Sequence, residues 1–445
     1  MALDLKYLES EIIDQYLYDE NPRPWILGFS GGKDSTLLLQ LVWLALRKIE
    51  PILRTRHVYV VCNDTLVENP RIAKFIHVTL EKIQEAAAKE GMPITVHQTS
   101  PRLEDTFWVN LLGKGYPAPN NSFRWCTDRL KIDPTTAFIQ SKISEVGEVI
   151  ILLGTRSNES SNRARSIQKS KIHIDGERLR KNTNLLNSYV FAPIVDVLTD
   201  ELWVYLLQVD PPWGGTHREL ITLYRNASGG DCPLVIDTTT PSCGKSRFGC
   251  WVCSVVKRDK SMEGLVDSGE DWMEPLIEFR DMLVDYRNDR SWRQMWRRNQ
   301  DQDDADPDNW GPYIPEKRAF MLEELLKAQK SVQEEEDPSL VLINYQELVA
   351  IQVTWHRDSI FDYSVADIYN RVFGTQMAKE EFADGQIFEK DLLKQVCNDE
   401  ADFRLINELL EIQKSKIILV NKYGIQADME NHIVFDSTRR ASHVN

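Results

Sequence analysis

Residues 25–48 constrain this chain more than any other stretch. An apolar run from Trp25 to Phe29 ends in Ser30-Gly31-Gly32-Lys33-Asp34-Ser35, after which Leu37, Leu38, Leu39, Leu41 and Val42 set a helical spacing. The pattern predicts a strand, a tight loop and a helix N-terminus. Gly31 and Gly32 let backbone approach an anion closely, and the helix directs its unpaired N–H groups and positive dipole end at the same point. Lys33 adds a mobile cation, Ser30 and Ser35 add hydroxyl donors, and Asp34 is a carboxylate of the kind that holds Mg²⁺. The spacing is not Walker A, which separates its first glycine from Gly-Lys by four residues.

The surrounding sequence predicts an α/β fold for the first 210 residues. Apolar runs at 25–29, 57–62, 94–98, 149–154 and 190–194 read as strands, and 35–48, 70–90, 134–145 and 199–208 read as helices. Such alternation implies a parallel sheet with helices on both faces and ligands at the carboxyl ends of its strands. Residues 211–260 turn to Pro, Gly, Thr and Cys with weak periodicity, which predicts an irregular segment held by a metal rather than by a core. Residues 261–445 form a mainly helical region, with helices expected at 271–298, 317–332, 343–354 and 402–414, and an exposed acidic loop at 301–308.

Charge and cysteines narrow the classes further. The chain has 445 residues and a net charge of −15, which excludes indiscriminate nucleic-acid binding but leaves room for a local basic face. Arg163 to Lys181 is such a segment, with seven Lys or Arg against two acids. A second basic run, Arg290, Trp292, Arg293, Trp296, Arg297 and Arg298, has tryptophans four apart, a spacing that favours core for the rings and leaves the arginines open. No apolar stretch is long enough to span a membrane and no secretory signal opens the sequence, so a cytoplasmic protein with no membrane partner is expected. In that compartment the seven cysteines read as ligands or nucleophiles before disulfides. Cys232, Cys243, Cys250 and Cys253 include one Cys-x-x-Cys pair, a set that suits an iron–sulfur cluster or a tetrahedral zinc, and spacing does not separate the two. Cys126 sits among Arg124, Arg129 and Lys131, cations expected to lower its thiol pKa and to suit a nucleophile or persulfide carrier; a small buried core residue is the alternative. Cys62 and Cys397 read as bystanders.

The loop at 30–35 resembles the PP-loop of ATP pyrophosphatases, which cleave ATP between its α and β phosphates. Four further segments, in order, resemble the sulfonucleotide reductase branch of that group: Asn63-Asp64-Thr65 with Glu68 and Pro70; Arg124-Trp125-Cys126 through Lys131 and Pro134; Gly154-Thr155-Arg156-Ser157-Asn158-Glu159-Ser160 with Arg163; and Pro193-Ile194-Val195-Asp196 with Thr199, Asp200, Trp203 and Tyr205. With the cysteines beyond 230 and the helical C-terminal half, the chain resembles DndC-type sulfurtransferases of bacterial DNA phosphorothioation. The segment Glu-Cys-Gly-x-His, whose cysteine attacks sulfate in the reductases, does not occur, which weighs against sulfonucleotide reduction.

The resemblance implies an adenine nucleotide alpha-hydrolase-like fold, ATP and Mg²⁺ as ligands, and a [4Fe-4S] cluster on Cys232, Cys243, Cys250 and Cys253. Ser30, Gly31, Gly32, Lys33, Asp34 and Ser35 are then expected at the β and γ phosphates, with Asp64 beside the nucleotide. Arg156 and Arg163 are expected to clamp phosphates through their guanidinium forks, with Glu159 orienting them or contributing to Mg²⁺. Lys33, Asp34 and Cys126 are the catalytic candidates. DNA is the expected substrate, with a cysteine desulfurase and other phosphorothioation subunits as partners. A tRNA thiolase, a sulfonucleotide reductase and a non-catalytic nucleotide-sensing subunit are the alternatives.

Overall fold

The computed structural model describes residues 3–17, 22–157, 178–226, 249–295, 310–375 and 399–418, apart from 183 and 359, with isolated positions at 393–394, 396–397, 429 and 433. These form two compact units, Met1–Pro101 with Asn121–Ile277, and Arg102–Asn120 with Glu278–Asn445.

The first unit opens with α1 (Leu5–Leu17), β1 (Trp25–Gly28) and α2 (Lys33–Lys48), continues through β2 (Val58–Asn63), α3 (Pro70–Glu90), β3 (Ile94–Thr99), α4 (Asp133–Val146) and β4 (Val149–Leu152), then β5 (Arg180–Lys181), β6 (Ser188–Phe191), α5 (Thr199–Gln208), α6 (Arg218–Asn226) and α7 (Lys260–Val266). The strands form one sheet in the order β3-β2-β1-β4-β6-β5. All neighbours are parallel except β5, which pairs antiparallel with β6 at the edge. Alternation along the strands places Trp25, Leu27, Val58, Val60, Ile150 and Leu152 in one core with α2 and α3, and Ile26, Val61, Val149 and Ile151 in another with Ile139 of α4. Both faces are covered, which is why these strands read as continuous apolar runs.

Local signals explain most element boundaries. The Asn69 side chain accepts from the N–H groups of Arg71 and Ile72, Pro70 takes the first helical position of α3, and Gly91 ends that helix with left-handed backbone. β6 stops at Phe191 because Pro193 brings no N–H to a ladder. Helix α1 was not expected, although Leu8, Ile12 and Tyr16 recur at helical spacing and are buried. Helix α6 lies in the span expected to be irregular, its apolar face carried by Leu220, Leu223 and Tyr224. The two charged residues of β5 carry no strand signal of their own.

The chain winds outward from β1 to β3 and returns to place β4 on the other side of β1. Loops leaving β1 and β4 therefore diverge, opening the crevice where ligands of such sheets bind.

The second unit is helical. Helix α8 (Glu274–Tyr286) starts at the division between the units, and α9 (Pro315–Glu335), α10 (Tyr345–Arg357), α11 (Val365–Phe373) and α12 (Glu400–Ile418) follow. Of these, α9 and α10 pack against a π-helical turn, Val109–Gly113, contributed by the segment 102–120 from between β3 and α4. Trp355 Nε1 donates to the Leu112 carbonyl at 2.8 Å and Trp108 Nε1 to the Leu342 carbonyl at 2.7 Å. The buried Arg318 donates to the carbonyls of Tyr313 at 2.7 Å and Gly113 at 2.9 Å.

A phosphate loop and a thiol site at the carboxyl edge of the sheet

The loop between β1 and α2 is pre-shaped. Gly31 has φ +69°, and a Cβ there would lie 2.5 Å from Ile76 Cγ1 of α3, so neither the backbone nor the space admits a side chain. Ser35 Oγ accepts from the Ser30 N–H at 3.2 Å and donates to the Gly32 carbonyl at 3.0 Å, and the two serine hydroxyls lie 3.2 Å apart. Gly32 is the N-cap of α2 and has no side chain to cap the helix's first N–H groups.

Asp34 is gripped from two sides. Lys33 Nζ lies 3.1 Å from one carboxylate oxygen and Arg156 Nε 2.5 Å from the other. Arg156 is buried and also donates to Thr199 Oγ1 at 2.9 Å and the Val197 carbonyl at 3.2 Å. The guanidinium expected to clamp phosphate therefore orients Asp34 and ties together the loops after β1, β4 and β6. Gly154 makes this approach possible: a Cβ there would lie 3.0 Å from the Asp34 carbonyl oxygen.

A second constellation rises after β2. Asp64 Oδ1 accepts from the Leu66 N–H at 2.8 Å, shaping a turn in which Leu66 has φ +62°. Glu68 forms an isolated antiparallel bridge with Cys250, and the Trp251 N–H donates to the Val67 carbonyl at 3.0 Å. The Cys-x-x-Cys turn is thereby docked at the edge of the sheet, its Cys253 N–H donating to the Cys250 carbonyl at 3.0 Å. Thr65 Oγ1 donates to Glu68 Oε1 at 2.9 Å and lies 3.4 Å from Cys250 Sγ. Lys131 Nζ stands 3.7 Å from the same Glu68 oxygen.

Cys126, read from sequence as separate from the other thiols, joins this group. Cys250, Glu68, Cys126 and Cys253 all lie within electrostatic reach of Lys131, whose pKa is raised, chiefly by Cys250. Desolvation pushes the Cys250 thiol up to about 12, only partly opposed by Lys131 and the Thr65 hydrogen bond. Cys126 departs from the sequence expectation. Burial raises its thiol pKa, Cys253 adds to the rise, and Lys131 offsets only part of it. Both thiols are protonated at neutral pH until an electrophile or a metal claims them.

Among the described residues no three His, Cys, Asp or Glu side chains close around a single metal ion. A cubane cluster makes a different demand, because each iron takes its own thiolate and the donors stand further apart. Cys126, Cys250 and Cys253 share the reach of Lys131, and as thiolates each would serve a separate iron. Cys232, Cys243, Glu159 and Arg163 lie outside the described residues, as does the basic run from Arg163 to Glu177. At its far end Arg178 pairs with Glu11 at 2.9 Å and Asp14 at 3.0 Å.

The second basic run serves packing. Trp292 is buried and stacks on Tyr286 at 4.0 Å, while Arg293 donates to the carbonyls of Gly311 and Trp310 and Arg290 lies 5.4 Å over the Trp310 ring. Trp296, Arg297 and Arg298 lie outside the described residues. Sequence reasoning singled out the segments of Thr65, Glu68 and Thr199 without the partners seen here, and it missed Tyr224. Each belongs to an element whose docking, not whose local pattern, brings it there.

The family described as phosphoadenosine phosphosulfate reductase domain matches residues 24–255. An uncharacterized protein of Methanocaldococcus jannaschii is 29% identical over 268 residues, covering 58% of this chain; the chain thus spans only 44% of that relative's length. Two solved structures are similar at low scores. The phosphoadenylyl-sulfate reductase of Candida auris in complex with phosphate is 11% identical, covers 47% of this chain and 88% of its own, and has a TM-score of 0.27. The U34-tRNA thiolase NcsA of Methanococcus maripaludis with its [4Fe-4S] cluster is 11% identical, covers 64% of this chain and 78% of its own, and has a TM-score of 0.29.

Proposed function

Because the chain belongs to the phosphoadenosine phosphosulfate reductase domain family through residues 24–255, we propose that it is an ATP-cleaving sulfurtransferase acting on a DNA backbone phosphate. One juxtaposition carries this reading. The phosphate loop follows β1, the thiol site is docked on the turn after β2, and those two strands are parallel neighbours, so both loops leave the same edge of the sheet.

In this mechanism the loop N–H groups and Lys33 neutralise the β and γ phosphates, and Asp34, oriented by Arg156, holds Mg²⁺. A DNA phosphate oxygen attacks the α-phosphorus and pyrophosphate leaves. An anionic oxygen is a poor leaving group, whereas the same oxygen as part of AMP departs readily when sulfur attacks. The protein's share is positioning and charge neutralisation. Cys250 and Cys253, with Cys126 beside them and Cys232 and Cys243 as further candidates, would hold a [4Fe-4S] cluster, which supplies a thiophilic site for incoming sulfur. The terminal sulfur of a persulfide from a cysteine desulfurase attacks the DNA phosphorus as AMP leaves, a thiol reductant then cleaves the S–S bond to leave the phosphorothioate, and further phosphorothioation subunits contribute base readout.

The test is release of AMP and pyrophosphate from ATP by anaerobically purified protein, alone and with duplex DNA, single-stranded DNA or tRNA. Stimulation by DNA, abolished in Ser30→Ala, is expected, together with loss of phosphorothioate from DNA in a Cys250→Ser strain. Stimulation by tRNA alone would replace this reading with a tRNA thiolase, and binding of ATP without AMP formation would leave a nucleotide sensor.

A further inference from the structure

Helix α6 reaches the phosphate loop with one side chain, Tyr224. Its hydroxyl oxygen accepts from the Lys33 N–H at 3.3 Å, and its ring lies 5.1 Å from the Lys33 ammonium. A Cβ on Gly32 would lie 3.2 Å from the same oxygen, so the hydroxyl sits against the Gly32-Lys33 step where the loop becomes helix. Tyr224 is buried, and its ring packs edge-on against Trp203 of α5 with centroids 5.0 Å apart.

The Lys33 N–H is a first-turn donor of α2, one of those with no partner inside the helix and the kind an anion takes at such a loop. Here a phenol oxygen takes it. We propose that Tyr224 is an internal placeholder for phosphate: its hydroxyl occupies the Lys33 N–H until a nucleotide phosphate displaces it. The inference rests on the phosphate-loop reading above. Burial raises the Tyr224 pKa, so the group is a neutral phenol and a weaker acceptor than a phosphate oxygen. A polyphosphate with Mg²⁺ therefore wins the donor, and Tyr224 and the helix carrying it must shift. The placeholder keeps a buried N–H satisfied when the loop is empty, and lowers affinity for any anion too weak to displace it.

Calorimetric titration of Mg²⁺ with inorganic pyrophosphate into the full chain tests this in wild type and Tyr224→Phe, which keeps the ring against Trp203. Freed of its neutral competitor, Tyr224→Phe is expected to bind pyrophosphate about threefold to tenfold more tightly, the worth of one neutral hydrogen bond. Weaker binding would make the hydroxyl a phosphate donor and equal binding would make it a bystander; either overturns the proposal while leaving the loop's function intact. If wild type binds neither pyrophosphate nor ATP, the phosphate-loop reading falls and the placeholder with it. Hydrogen exchange in wild type provides a readout independent of the variant's folding. Residues 218–226 are expected to exchange faster when pyrophosphate is bound, and unchanged or slower exchange would contradict displacement.

Discussion

Single residues at the sheet edge do unlike jobs despite similar chemistry. Arg156 carries the charge expected of a phosphate clamp, yet it is buried with Asp34, Thr199 and the Val197 carbonyl as partners. Arg156→Ala leaves Asp34 with Lys33 alone and strands the Thr199 and Val197 acceptors, so it is expected to lower unfolding free energy by about 2 kcal/mol. Arg156→Lys should recover only part of that, since an ammonium cannot reproduce the fork. Urea denaturation of the three proteins measures both. Gly154 is tested in the same way. A methyl 3.0 Å from the Asp34 carbonyl must push the loop away, and Gly154→Ala is expected to weaken ATP binding more than it lowers stability. The motif containing Gly154 and Arg156 was legible in sequence. The partner of Arg156 was not, because Asp34 lies 122 residues away and only sheet pairing brings the two together.

At the scale of elements, the loop's shape depends on α3 as much as on its own glycines. Gly31 is held at φ +69° with Ile76 behind it. Gly31→Ala is expected to cost about 1–2 kcal/mol for the left-handed backbone, plus the clash with Ile76. Combining it with Ile76→Ala should relieve the clash alone, leaving a residual loss close to the backbone term, and a double-mutant cycle in urea separates the two. Helices α3, α4 and α5 and strand β3 were placed closely from apolar periodicity. Helix α6 was not, because its nine residues lie in a Pro- and Gly-rich surround that outweighs its apolar face.

For the whole molecule, the informative titration belongs to the second unit. Glu347, at the N-terminus of α10, is buried, and desolvation raises its carboxyl to about 7 from an ordinary 4.5. The folded chain therefore holds a proton that the unfolded chain releases between those values, and stability falls as pH rises from about 4.5 to 7. This contribution amounts to about 3 kcal/mol, at 1.36 kcal/mol per pH unit. Glu347→Gln keeps the oxygen that accepts from the Asn344 N–H and removes the titration. Thermal melting at pH 5 and pH 8 should show a smaller loss for the variant than for wild type. The second unit as a whole was read correctly as helical, with α9, α10 and α12 near their expected positions. That the segment 102–120, lying between two strands of the first unit, belongs to its core has no local signature.

The sequence by itself determined what depends on near neighbours. Alternation of apolar runs and the Ser-Gly-Gly-Lys-Asp-Ser turn are short-range physics, and they dictate a parallel sheet with a tight glycine loop leading into a helix N-terminus after its first strand. Tertiary structure alone decided which groups meet. Cys250 and Cys253 come within reach of Lys131 and Cys126 because Cys250 forms a bridge with Glu68 on the turn after β2. Arg156 meets Asp34, and Tyr224 reaches the Lys33 N–H, because segments distant in sequence gather at the same edge of one sheet. Those contacts follow from strand order and burial, which no window of sequence contains.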